Sequence, residues 1–146
     1  MNNDELLKLD NQLCFAVYAC SREIIKYYRP YLDKLGLTYT QYITMMVLWE
    51  AGRISAKDLG IRLHLDSGTL TPLLKKLEHT GLIERHRNSV DERSLIITLT
   101  DKGQNLKNRA GEIPEKMFCG LKLTMEELVT LREQLKTVTN NLTEEK

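Results

Sequence analysis

Apolar residues return every three or four positions across residues 4–33, where Leu9, Leu13, Val17, Cys20, Ile24, Tyr27 and Tyr31 form one seam. That spacing predicts an amphipathic helix. "KLGLTYT" ends it at Gly36, and Thr38 or Thr40 is placed to cap a second helix over about 40–51. "EAGRIS" reads as a turn, and "SAKD" (Ser55 to Asp58) resembles a capping box opening a short helix that ends near His64. "DSGTLTPLLKKLEHTG" predicts a further helix closed by Gly81. Its start is open. Pro72 suits the first turn of a helix beginning at Thr71, whereas a start at Asp66 or Ser67 leaves the proline inside and removes the hydrogen bond to Gly68. In "LIERHRNSVDERSLIITLT" the period drops to two. Ile83, Arg85 and Arg87 share one side, Leu95, Ile97 and Leu99 share a face of the returning strand, and "NSVDE" forms the polar tip of a hairpin. A helix starting at Thr100 or Asp101 is interrupted or restarted at Pro114, and "TMEE" (Thr124 to Glu127) caps a last helix reaching about Leu142. The order is α-α-α-α-β-β-α-α, mainly α with a small β-hairpin.

Two short helices, a tight turn between them and a hairpin behind them make a winged helix-turn-helix, whose second helix fits the major groove of DNA. The N-terminal half of that helix carries Ser67, Gly68, Thr69 and Thr71, small residues that allow close approach to bases and phosphates. Lys75 and Lys76 follow as phosphate contacts, and Arg85, Arg87 and Arg93 lie in the wing, where arginine suits a narrow minor groove. Charge alone does not make this case. The net charge is +1, with no global footprint for nucleic acid. Locally, Asp66 and Glu78 balance the two lysines, and Glu84, Asp91 and Glu92 face the three arginines. A solvated helix and hairpin of mixed charge fits the composition equally well.

The bulk numbers narrow the remaining classes. At 146 residues, 42% hydrophobic and 28% charged, the chain is one domain's worth of ordinary soluble globular protein. Its apolar runs are far short of a membrane span and its N-terminus lacks a signal-peptide pattern, so the cytoplasm is the expected compartment and no membrane partner is expected. Three cysteines there point to metal, redox chemistry or packing rather than a disulfide framework. His64, His79 and His86 have no ligand spacing with one another or with the cysteines, so neither zinc nor another cofactor is expected.

Residues 59–103, "LGIRLHLDSGTLTPLLKKLEHTGLIERHRNSVDERSLIITLTDKG", resemble the DNA-binding core of MarR-family transcriptional regulators. "DSGTLTPLLKKLE" and "DERS…ITLT" are the specific parts, and the order of elements extends the resemblance over nearly the whole chain. Within that family, "LDNQLCFAVYACSRE" and "YRPYLDKLGLTYTQYI" are similar to the organic hydroperoxide resistance regulators. The resemblance implies one MarR-like domain over 1–146, in which 1–36 and 104–146 supply the helices of a homodimer and 40–103 the winged helix-turn-helix lobe. It places the start of the recognition helix near Ser67, with Pro72 internal and an irregular first turn. It matches Asp91 and Arg93 to the pair that shapes and inserts the wing. It implies a repressor, not an enzyme, that holds double-stranded operator DNA until organic hydroperoxide oxidises a cysteine.

A thiol with a pKa of ~8.5 is only about 3% thiolate at pH 7, and lowering the pKa to ~6 raises this roughly thirtyfold, worth ~2 kcal/mol. Nucleophilicity falls along with the pKa, so a sensor also needs donors that hold thiolate and peroxide together. The resemblance assigns the sensing thiol to Cys14 and the donors to Tyr28 and Tyr39, with Tyr18 nearby. Cys14 and Tyr18 are four apart and can meet on one helix face. Cys14 and Tyr28 are separated by ~21 Å of continuous helix, so Tyr28 serves Cys14 only from a second subunit. Cys14 and Cys20 are separated by ~9 Å of rise on roughly opposite faces, beyond the ~7 Å limit for a disulfide.

Resemblance to the two-cysteine members of the branch implies that oxidised Cys14 condenses with Cys119 of the partner. That bridge would move the interface helices and swing the paired recognition helices off their ~34 Å spacing. A mixed disulfide or a higher oxide remains an alternative end state, and Cys119 in "EKMFCGLKL" also fits a buried small hydrophobe. Cys20, on the seam with Val17 and Ile24, reads as core packing, and Tyr27 and Tyr31 as core or interface aromatics. A cap at Asp10 would put Cys14 near the positive end of the helix dipole; a start at Asn3 would not. Two rival functions are a thiol peroxidase, which lacks its strand-rich fold and CxxC here, and a MarR-type repressor released by a small phenolic ligand.

Overall fold

The helix expected across residues 4–33 is three pieces. A short α1 (Asn3–Leu6) and a 3₁₀ turn (Leu9–Asn11) precede α2 (Leu13–Asp33). Side-chain amides cause the break, because they take carbonyls that a continuing helix would use. Asn11 Nδ2 donates to the Glu5 carbonyl at 2.7 Å, and Gln12 Nε2 donates to those of Leu6 and Lys8 at 2.6 and 2.9 Å. Gln12 is consequently extended, at φ −91° and ψ 114°, and α2 begins after it. The computed structural model describes residues 2–91 and 93–145. They divide into two compact units, one running to Gly111 and the other starting at Glu112.

In the first unit α2 is followed by α3 (Tyr39–Ala51), β1 (Arg53–Ser55), α4 (Ala56–Leu63), α5 (Ser67–His79), β2 (Ile83–Arg87), β3 (Leu95–Leu99) and α6 (Asp101–Ala110). Local capping chemistry sets nearly every start. Thr38, rather than Thr40, caps α3 in a full capping box with Gln41; Ser55 caps α4, Asp66 caps α5 and Thr100 caps α6. "EAGRIS" is a strand as well as a turn. Gly52 turns the chain at φ 70°, and residues 53–55 then pair antiparallel with β3, giving a three-stranded sheet of order β1-β3-β2. Three residues are too few for alternation to show, and only pairing with a distant strand defines them.

The register sets Ile83 opposite Leu99, Arg85 opposite Ile97 and Arg87 opposite Leu95, so both expected trios lie on one face. Met45, Leu48, Leu59, Leu74, Leu77, Ile83 and Ile97 fill the core between α3, α4, α5 and this sheet. Trp49 Nε1 donates to the Gly103 carbonyl at 2.9 Å, tying α3 to α6.

The second unit holds α7 (Ile113–Leu121) and α8 (Met125–Glu144), joined through Lys122 at φ 54°. Pro114 stands in the first turn of α7, and Thr124 and Glu127 close the expected capping box on α8. Along α8, Leu128, Leu131, Leu135, Val138 and Leu142 recur at alternating steps of three and four, the seam of a helix built to pair. Leu131, Leu135, Val138 and Leu142 are exposed. No described helix is long and apolar enough to cross a membrane.

Candidate nucleic-acid interface and thiol site

The α4–α5 pair is set by one close approach and one left-handed residue. A Cβ on Gly60 would lie 2.9 Å from the Leu65 carbonyl oxygen, so only glycine lets the turn close. His64 takes the left-handed cap of α4 at φ 54°, a strained place for a residue with a Cβ. α5 then runs unbroken from Ser67 through Pro72. Gly68 and Pro72 are both exposed, so the carbonyl that proline cannot reach faces water, and Asp66 anchors the first turn, accepting from Thr69 N at 2.8 Å. That backbone hydrogen bond, first among several, holds the Asp66 carboxyl below its usual range. Leu70, Leu73, Leu74 and Leu77 are buried on one face, while Ser67, Thr69, Thr71, Lys75 and Lys76 are exposed.

Two Asx turns shape the wing tip. Asn88 Oδ1 accepts from Val90 N at 3.0 Å and Asp91 Oδ1 from Arg93 N at 3.1 Å. Asn88 N also donates to the Ser94 carbonyl at 2.8 Å. Asp91 thus acts on the backbone of Arg93, and Arg87 and Arg93 are exposed. Glu92 lies outside the described residues. Arg85 is placed differently, because its Nε and an Nη reach Glu78 of α5 at 3.1 and 2.9 Å. Nothing in the hydrophobic period had marked Glu78 for that role.

Cys14 is the second residue of α2 and exposed, which puts it at the positive end of the helix dipole. Tyr18 follows one turn on. Arg22 donates to its hydroxyl at 3.0 Å and covers its ring at 5.5 Å from the centroid. Cys20 is exposed rather than packed, and Val17 beside it is 41% exposed, because the first unit lays no element over this part of the seam. Cys119, on α7, is exposed as well.

Tyr28 and Tyr39 come together, with ring centroids 5.1 Å apart, and Tyr42 joins them at 5.7 Å from Tyr28. Burial, then the neighbouring Tyr39 and Tyr42, push the Tyr28 phenol up to about 12, and burial raises Tyr39 and Tyr42 too. All three remain protonated donors at neutral pH. Tyr42 went unread in the sequence, although its three-residue spacing from Tyr39 put both on one face of α3. Cys14 is not with them. The unbroken stretch of α2 between Cys14 and Tyr28 spans ~21 Å. Among the described residues no cluster of histidine, cysteine, aspartate or glutamate could hold a metal ion.

A family model described as Transcriptional regulator SarA/Rot matches residues 26–110. The organic hydroperoxide resistance transcriptional regulator of Bacillus subtilis (strain 168) is 47% identical over 141 residues, 97% of this chain and 96% of that protein. Among solved structures, reduced AbfR bound to DNA (AbfR being from Staphylococcus epidermidis) is 37% identical with a TM-score of 0.81, over 97% of this chain and 99% of the other. The disulfide-formed state of AbfR is also similar, at 37% identity and a TM-score of 0.67 over 93% and 96%.

Proposed function

The chain belongs to the MarR-like winged-helix transcriptional regulators, in the SarA/Rot family, and from that premise we propose that it is a thiol-based repressor of the organic hydroperoxide type. As a reduced homodimer it holds operator DNA. Ser67, Thr69 and Thr71 enter the major groove, Lys75 and Lys76 contact phosphates, and Arg87 and Arg93 reach toward the minor groove from a wing that Asp91 shapes. Residues 40–103 form the DNA-binding lobe, and 1–36 with 104–146 supply the dimer helices.

The observation that carries this reading is the placement of Cys14: an exposed thiol in the first turn of α2, beside an apolar seam the first unit leaves open. Its own half-buried Tyr28 is two-thirds of that helix away. A second copy brings Tyr28 and Tyr39 to the thiol, where their protons stabilise the thiolate and the departing alkoxide, while Tyr18 does so from the same helix. The thiolate attacks the outer peroxide oxygen, the O–O bond breaks, and the alcohol leaves with a proton, giving a Cys14 sulfenic acid. The Cys119 thiol of the partner then attacks that sulfur and expels water, forming an intersubunit disulfide that shifts the paired recognition helices. The states named for AbfR, reduced on DNA and disulfide-formed, support this cycle.

The test uses a duplex selected by the reduced protein from a random pool. One equivalent of cumene hydroperoxide releases the wild type, while Cys14→Ser stays bound. Non-reducing electrophoresis shows a covalent dimer that Cys119→Ser lacks. Release of Cys14→Ser by the peroxide would overturn the reading.

A further inference from the structure

Arg85 looks like a DNA contact from sequence, yet its guanidinium is spent on Glu78. The pair is bidentate, at 3.1 and 2.9 Å, and only 22% of the Arg85 side chain is exposed. It is the one ion pair among the described residues that joins α5 to the hairpin. The base of the wing is already fastened without it. Thr100 Oγ1 donates to the Gly81 carbonyl at 2.5 Å, Lys102 Nζ donates to that of Thr80 at 2.7 Å, and Thr100 N donates to that of Leu82 at 3.1 Å. Folding therefore has little need of the pair, while among the described residues the hairpin above that base has no other ion pair to α5. Charge sharpens the question. Glu78 puts an anion on the helix that carries Lys75 and Lys76, where it repels phosphate.

We propose that Glu78 and Arg85 form a brace that fixes the wing against the recognition helix, so that major-groove and minor-groove contacts are made in one register, and that Arg85 positions the wing rather than touching DNA. The proposal deepens the DNA-binding reading and rests on it. An arginine held by two hydrogen bonds to one carboxylate has a fixed plane and direction. The strand that carries it faces Ile97 across the sheet, so the brace reaches the centre of the hairpin. Losing either partner would leave the wing free to pivot on its base, and specific binding would then have to order it.

Removing Glu78 gives opposite signs under the two views. If its charge is all that matters, Glu78→Gln binds every duplex more tightly. If it is a brace, Glu78→Gln binds the selected duplex about five- to tenfold more weakly and a scrambled duplex no more weakly, as coupling losses of this kind run. The measurement is fluorescence anisotropy on both duplexes at several salt concentrations, for wild type, Glu78→Gln, Arg85→Gln and the double variant. Under the brace, the double variant is no worse than either single one, the salt slope is unchanged throughout, and thermal midpoints stay close to wild type. A salt slope reduced by about one in Arg85→Gln, with equal loss on both duplexes, would make Arg85 a phosphate contact and overturn the proposal, as would tighter binding by Glu78→Gln. A wild type that does not discriminate the two duplexes would instead defeat the DNA-binding reading, and the brace with it.

Discussion

The thiol and the phenols proposed to serve it make opposite demands on burial. Cys14 must be reached by a peroxide and sits exposed in a helix's first turn; Tyr28 must keep its proton and is packed against Tyr39 and Tyr42. The consequence is measurable without peroxide. In a spectrophotometric titration Tyr28 ionises late, near 12. The sign for stability follows from linkage. The folded value lies above the ordinary 10.0, so Tyr28's contribution is fully present below pH 10.0 and is lost as pH rises toward about 12. Tyr28→Phe removes that loss. It should also slow Cys14 oxidation roughly tenfold or more, the usual cost of deleting a hydrogen bond to a charged group, as read by stopped-flow trapping of the sulfenic acid. An unchanged rate would remove Tyr28 from the thiol site. The role proposed for Tyr28 and Tyr39 rests on resemblance, because no spacing within one chain joins them to Cys14.

At the scale of elements, what the sequence announced was local and what it concealed was not. Thr38, Ser55, Thr100 and Thr124 each cap the helix their neighbourhood predicted, since a cap is decided within four residues. Asp66, by contrast, caps α5 at a start that local rules left open and the family resemblance chose. β1 depends on β3, more than forty residues on, and the break before α2 depends on which carbonyls two side-chain amides happen to reach. Gly103 belongs to the concealed group. It reads as an unremarkable helix position, yet a Cβ there would stand 2.0 Å from the Leu82 carbonyl oxygen, and its own carbonyl accepts from Trp49. Gly103→Ala must push α6 off the sheet, with backbone rather than a flexible side chain in the way. A loss of about 2–4 kcal/mol is expected, measured by urea unfolding, with Trp49 fluorescence shifted in the native baseline. A loss below 1 kcal/mol would show that α6 docks more loosely than these distances require.

For the whole molecule, the unsatisfied surfaces argue for a second copy. Leu13 and Val17, one turn apart on α2, are exposed, as are Leu131, Leu135, Val138 and Leu142 on α8. Single exposed apolar residues are ordinary, but stripes at helical spacing mark an interface. If the proposed thiol site is completed by the partner's tyrosines, reactivity is a property of the assembly, and Cys14 alone does not possess it. Leu135→Glu separates assembly from site: it puts a charge into the heptad seam of α8, which carries none of the proposed thiol-site residues. Sedimentation should show the variant as a monomer at concentrations where the wild type is a dimer. The variant's Cys14 should then react with cumene hydroperoxide at about the rate of an ordinary free thiol. In the wild type, dilution through the dimer dissociation constant should lower the apparent rate in step with the dimer fraction, because monomer leaves Tyr28 ~21 Å from its own chain's sulfur. A monomeric variant oxidised as fast as the wild-type dimer would mean that the helix terminus and Tyr18 suffice, and that Tyr28 and Tyr39 belong to the fold.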